Sequence, residues 1–197
     1  MDTVPGCHYH EPVTATTAPQ TLRADARRNY DALVAAGKSV FARAGTDAPL
    51  EDVGREAGVG RGTLYRHFPT REHLFVAIMQ ERVDELDARA KQLLDAPDAW
   101  SALTEWLRLY DRSATDYRGM SARVGNWLAD DESPVAAACA PMKKSFGRLY
   151  RRAQREADVR SDLTAVELLA MISALPKPAP GARRNQYLEV VLRALRP

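Results

Sequence analysis

Apolar residues three and four positions apart run through most of the chain, with polar residues, glycine and proline filling the gaps between stripes. No stretch alternates apolar and polar in the manner of a half-buried strand. The first stripe lies C-terminal to Asp25 and passes through Leu33, Gly37, Val40, Phe41 and Ala44, with Gly45 where a helix C-cap belongs. Thr46-Asp47-Ala48-Pro49 opens a second helix, capped at Asp47 or Ala48 with Pro49 in its first turn; its stripe is Leu50, Val53 and Ala57. Gly54 is costly inside this helix, and a close approach by another helix would account for it. Gly58 ends the helix, Val59 plugs the corner, and a helix of about two turns follows from Gly60, with Leu64 and Phe68 facing inward. Pro69-Thr70 stops it, and Thr70 caps a long fourth helix through Leu74, Phe75, Ile78, Met79, Val83, Leu86, Ala90, Leu93 and Leu94.

The remainder is helical by the same criterion. Pro97-Asp98 begins a helix that reaches toward Tyr117, and a shorter one lies near residues 120–128. Ser133 caps and Pro134 starts a helix running to about Ala157, whose outer face carries Lys143, Lys144, Arg148, Arg151, Arg152 and Arg155. That charge run reads as a solvated face in preference to a DNA surface. Thr164 and Glu167 form a capping box ahead of an apolar helix to about Leu175, and residues 186–195 form the last amphipathic helix. Residues 1–22, with Pro5, Pro12 and Pro19, show no periodicity and read as a disordered tail. Cys7, His8 and His10 lie in that tail, without the fixed geometry a metal needs. The fold class is all-α.

Composition narrows the chemistry. In 197 residues, 45% are hydrophobic and 27% charged, enough to bury a sizeable core. The net charge of +2 excludes a general polyanion binder, so any nucleic-acid site must arise from local clustering. The two cysteines form no disulfide framework, which fits a reducing cytoplasm. No apolar run is long enough to cross a membrane. No nucleophile–base pair, metal cluster or phosphate loop points to catalysis or to a cofactor.

One stretch clusters charge usefully. With Leu64 and Phe68 turned inward, the short third helix points Gly62, Thr63, Tyr65 and Arg66 outward, with Arg61 and His67 on its flanks. Placed after a capped amphipathic helix, this is the pattern of a helix-turn-helix whose second helix enters the major groove. Arg61 lies in the first turn, the end that meets base edges, and arginine is the commonest reader of guanine. Arg71 stands at a positive helix end, suited to phosphate. Arg23, Arg27 and Arg28, ahead of the first stripe, form either a solvated helix start or an arm on the DNA backbone.

The run from Leu50-Glu51-Asp52-Val53 through Ala57-Gly58-Val59, then Gly62-Thr63-Leu64-Tyr65-Arg66-His67-Phe68, Arg71 and Leu74, resembles the signature of the TetR family of bacterial transcriptional repressors. The resemblance covers roughly residues 29–80; beyond it only helix number, length and order agree. It implies a helix-turn-helix domain over residues 23–70 and a C-terminal bundle over residues 71–197 for ligand binding and dimerisation. It also implies a homodimer, joined through the last two helices, on a near-palindromic operator. By position, base contacts fall on Arg61, Gly62, Thr63 and Tyr65, and backbone contacts on Tyr65, His67 and Arg71. Arg66 suits either role, and Arg28 is a further candidate for the backbone. Gly54 departs from the usual alanine, and Glu51 and Asp52 leave the second helix acidic, so that helix is expected to add little beyond backbone amides.

A small-molecule effector would sit in the bundle among aromatic side chains with a few polar anchors. The expected lining is Trp100, Leu103, Trp106, Tyr110, Trp127, Phe146 and Tyr150, with Arg123 and Asn126 as polar groups. Two other readings stay open: a DNA-binding regulator without a small ligand, and a helical small-molecule-binding protein or enzyme whose two-helix motif is coincidental.

Overall fold

The computed structural model describes residues 18–113, 126, 127, 130, 132–176 and 185–196. Among them are eight α-helices and no strand: α1 (Ala18–Ala44), α2 (Leu50–Glu56), α3 (Arg61–His67), α4 (Arg71–Leu93), α5 (Ala99–Ser113), α6 (Pro134–Glu156), α7 (Ala165–Ser173) and α8 (Asn185–Leu195). Of the short helix expected near residues 120–128, Asn126 and Trp127 are described and helical, and the others lie outside the described residues. Cys7, His8, His10 and Arg123 lie outside the described residues.

Local sequence accounts for most boundaries. Gly45 ends α1 at φ 86° and Gly58 ends the turn after α2 at φ 66°, a region that side-chain-bearing residues avoid. Ser133 caps α6 by accepting from the Val135 amide, and Thr164 with Glu167 closes a full capping box on α7. Three expectations shift. α1 already begins at Ala18, inside the stretch read as tail, because Pro19 falls in its first turn where a missing N–H costs nothing. The cap of α2 is Pro49, not Asp47 or Ala48, its ring-restricted φ of −57° suiting the entry. Thr70 does occupy the cap of α4, but its hydroxyl meets the His73 ring at 2.8 Å and caps no backbone amide.

Two cores share one helix. Leu33, Val40 and Phe41 of α1 pack with Leu50, Val53, Leu64, Phe68, Leu74 and Ile78, closing the first three helices onto the start of α4. Phe75, Val83, Leu86, Ala90 and Leu93, further round and along α4, enter a larger core with α5 to α8. Gly37 lets α1 and α4 touch: a Cβ there would lie 2.9 Å from Cδ1 of Ile78 and 3.2 Å from a methyl of Leu74. The most extensive packing joins α4 to α6. Ser145 donates to Asp87 at 2.6 Å midway along this seam. At its far end Arg152 donates to the carbonyls of Leu93, Leu94 and Ala96 at 3.3, 2.9 and 2.7 Å, giving partners to acceptors at and just beyond the end of α4.

Among the described residues, no helix is long and apolar enough to cross a membrane.

Candidate nucleic-acid interface

α3 has seven residues, too few to hold helical shape alone, so its position is set by what it buries. Leu64 and Phe68 are 1% and 2% exposed, and Tyr30 of α1 lies 5.2 Å from the Phe68 ring. α2 approaches closely enough that a Cβ on Gly54 would fall 3.2 Å from the Val59 carbonyl and 3.3 Å from Cδ2 of Leu64. That contact is the close helix approach expected from an interior glycine.

The opposite side of α3 is bare. Arg61, Gly62 and Arg66 are exposed, and Thr63 and Tyr65 are half-buried. A Cβ on Gly60 or Gly62 would meet nothing within 4 Å, so the first turn presents its backbone openly. Arg66 folds along the helix, donating to the Gly62 carbonyl and to the Thr63 hydroxyl, each at 3.1 Å. His67 turns inward at the flank, with its ring 6.1 Å from Tyr30. Leu22, Asp25, Ala26 and Asn29 of α1 lie beside Thr63, Arg66 and His67 across a shallow groove of about 340 Å³. Arg28, on the same stretch of α1, is exposed and paired with Asp25.

Glu51 has a larger part than expected. The Tyr65 hydroxyl donates to its Oε1 at 2.7 Å, and Arg61 lies 3.9 Å from the same oxygen, with its guanidinium 5.7 Å over the Tyr65 ring. The tyrosine hydrogen bond first, then one from the Glu51 backbone, and after these the charges of Arg61 and Arg71, hold the Glu51 carboxyl below its ordinary range. The same bond raises the Tyr65 phenol. α2 therefore contributes an acidic side chain that positions two of the residues expected on DNA. Glu51 and Tyr65 stand on different helices, so no helical spacing within either one links them. Arg71 is half-buried and donates to the Thr46 carbonyl, tying the start of α4 to the loop before α2.

Of the residues expected around an effector, four form one aromatic ladder in the bundle. Trp106 and Tyr110 of α5 stack 5.4 Å apart, Trp106 faces Phe146 of α6 at 4.4 Å, and Phe146 faces Tyr150 at 5.9 Å. Each pair along a helix has the i, i+4 spacing that aligns side chains on one face. Leu103, Trp106 and Phe146 are fully buried. Polar ends are satisfied: Trp106 donates to the Leu86 carbonyl at 2.8 Å, Tyr110 bonds Ser173 at 2.8 Å, and Tyr150 donates to the carbonyls of Arg160 and Leu163. Burial pushes the Tyr110 phenol up to about 12. Trp127 lies at the edge against Phe75 at 5.0 Å, Asn126 is exposed, and Trp100 is half-buried beneath Arg196. Among the described residues, no three acidic, histidine or cysteine side chains are placed to hold a metal.

Comparison with known proteins covers both parts of the chain. Residues 33–78 match the family described as bacterial regulatory proteins, tetR family. Residues 98–197 match the C-terminal domain described as transcriptional regulator SbtR-like. The TetR transcriptional regulator SCO0520 from Streptomyces coelicolor is 34% identical, over 85% of this chain and 98% of that one, with a TM-score of 0.51. A bacterial regulatory protein of the tetR family from Rhodococcus RHA1, 22% identical, shares the fold at a TM-score of 0.56, over 85% of this chain and 97% of its own. The HTH-type transcriptional regulator SAR0097 of Staphylococcus aureus is 33% identical over 73 residues, 34% of this chain and only 38% of that regulator's length.

Proposed function

The chain belongs to the TetR family of transcriptional regulators, and from that premise we propose that it is a homodimeric repressor, released from a near-palindromic operator by a small-molecule effector. The observation that carries this reading is α3 itself, held by Leu64 and Phe68 so that Arg61, Gly62 and Arg66 are exposed on the other side with Thr63 half-buried among them. Arg61 reads a base edge, Thr63 and Tyr65 reach bases or phosphates, and Arg28, Arg66, His67 and Arg71 serve the backbone. The protein works in the cytoplasm and catalyses no reaction.

The dimer forms through α7 and α8. Val166, Met171, Tyr187 and Val190 on these helices are 37, 38, 47 and 52% exposed, large apolar side chains that a partner subunit would cover. The effector binds beside the aromatic ladder at the edge where Trp127 packs on Phe75, next to Asn126, and acts through α4, which both cores share. Its leverage equals its difference in affinity for the DNA-competent and released conformations.

Retardation of DNA flanking the chain's own gene tests the reading. Binding should fall steeply with salt as phosphate contacts release counterions. Val190→Asp should yield a monomer in sedimentation and abolish retardation. Equal retardation of unrelated DNA, or full operator binding by the monomer, would sink the dimeric repressor.

A further inference from the structure

The far end of α4 carries a feature that DNA reading does not use. Arg148, Arg151, Arg152 and Arg155 line one cleft with Leu94 and Asp95, a space of about 380 Å³. Their spacing along α6 puts all four on one face, where like charges destabilise a helix unless something neutralises them. Arg152 is neutralised already: it donates to Glu156 at 2.9 Å and to three carbonyls at the end of α4. Asp98 adds a further negative charge near Arg152. Arg148, Arg151 and Arg155 are exposed, and none forms an ion pair with an acidic side chain among the described residues. Among the described residues, Asp95 is the one acidic side chain lining the cleft, so three guanidinium groups without an acidic partner there face a single carboxylate.

We propose that this cleft binds a small diphosphate-bearing ligand through Arg148, Arg151 and Arg155, with Arg152 as its fixed floor. Guanidinium groups match phosphate oxygens with paired N–H donors, and three of them suit an anion of several charges better than a monovalent one. The volume lies at the small end for ligand sites, enough for a diphosphate with a modest organic group. Duplex DNA is the less favoured occupant. α4 has 23 residues, so at about 1.5 Å per residue this end stands roughly 35 Å from the junction with α3. A bound anion would fasten α6 to the end of α4 and stabilise the seam that Arg152 closes.

The test uses the full chain without DNA, so it does not depend on the regulatory reading. Sodium pyrophosphate is titrated against inorganic phosphate and against sodium chloride of equal ionic strength, by calorimetry and by thermal melting. Pyrophosphate should bind at one site per chain, at least about tenfold tighter than phosphate. At a hundredfold excess over its dissociation constant it should raise Tm by roughly 5–10 °C. The triple variant Arg148→Gln/Arg151→Gln/Arg155→Gln should lose that binding by about tenfold or more while keeping the wild-type helical spectrum. Lys38→Gln, on α1, should bind as wild type. A Tm rise no greater than sodium chloride gives, or equal affinity in the triple variant, overturns the proposal. Loss of DNA retardation in that variant, with no pyrophosphate binding by the wild type, would make the face a nucleic-acid contact instead.

Discussion

Tyr65 of α3 donates its phenolic hydrogen to Glu51 of α2 across 2.7 Å, so a residue facing the proposed duplex is held by a carboxylate on the supporting helix. Arg61 lies 3.9 Å from the same oxygen. The acidic side chain holds Tyr65 and draws Arg61, two of the proposed DNA contacts, toward one orientation, and preorganised groups lose less freedom on binding.

Acid should loosen this arrangement. The folded-state carboxyl of Glu51 titrates below its ordinary value. Its bond to Tyr65 therefore adds stability that is fully present above the unfolded-state value, about 4.3, and is lost as pH falls through the folded-state value. Melting curves between pH 6 and pH 3 should show the wild type losing more stability than Glu51→Gln. Parallel curves would mean that the contact contributes nothing.

Arg61→Ala should relax preference at one operator base pair by about 1–3 kcal/mol and leave binding to unrelated DNA nearly unchanged. Competition between operators with single substitutions gives the number. An unchanged preference profile would show that α3 docks in another register.

Arg71→Ala should act twice. Loss of its hydrogen bond to the Thr46 carbonyl should cost about 1–2 kcal/mol in urea denaturation. Its DNA affinity, measured well below the lowered melting temperature, should fall alike for all sequences, with a shallower salt slope. A stability loss with DNA binding intact would reduce Arg71 to a structural tie.

Trp106→Ala removes the central ring of a fully buried stack and the donor to Leu86, so it should cost about 3–5 kcal/mol in urea denaturation. Asn126→Ala, at an exposed position, should leave stability within about 0.5 kcal/mol of wild type. A large change in effector response from Asn126→Ala, with stability unchanged, is the result expected if the effector site lies at that edge.

Local chemistry made the scaffold legible. Gly45 and Gly58 marked helix ends because few other residues tolerate their φ, and Thr164 with Glu167 announced a helix start through two reciprocal hydrogen bonds. Leu64 and Phe68, four apart, set which side of α3 would be bare. The Glu51–Tyr65 bond, the Arg71–Thr46 tie and the grip of Arg152 on the end of α4 each join residues on separate elements. Such partners follow from how helices pack, and helical periodicity reports only which face of each helix is inward. The basic run of α6 shows the same limit: its charge was plain from the sequence, but not that Arg152 would be spent on carbonyls while Arg148, Arg151 and Arg155 kept no acidic partner among the described residues.

The missing side chain at Gly37 decides how force would pass between the halves of the molecule. With α1 seated directly on Leu74 and Ile78, there is no slack at that crossing for α4 to slip past α1. A tilt of α4 must therefore swing α1, α2 and α3 together as one lever pivoting about this contact. In the proposed dimer, small displacements deep in the bundle would then reappear, magnified by the length of the arm, as changes in the gap between the two copies of α3.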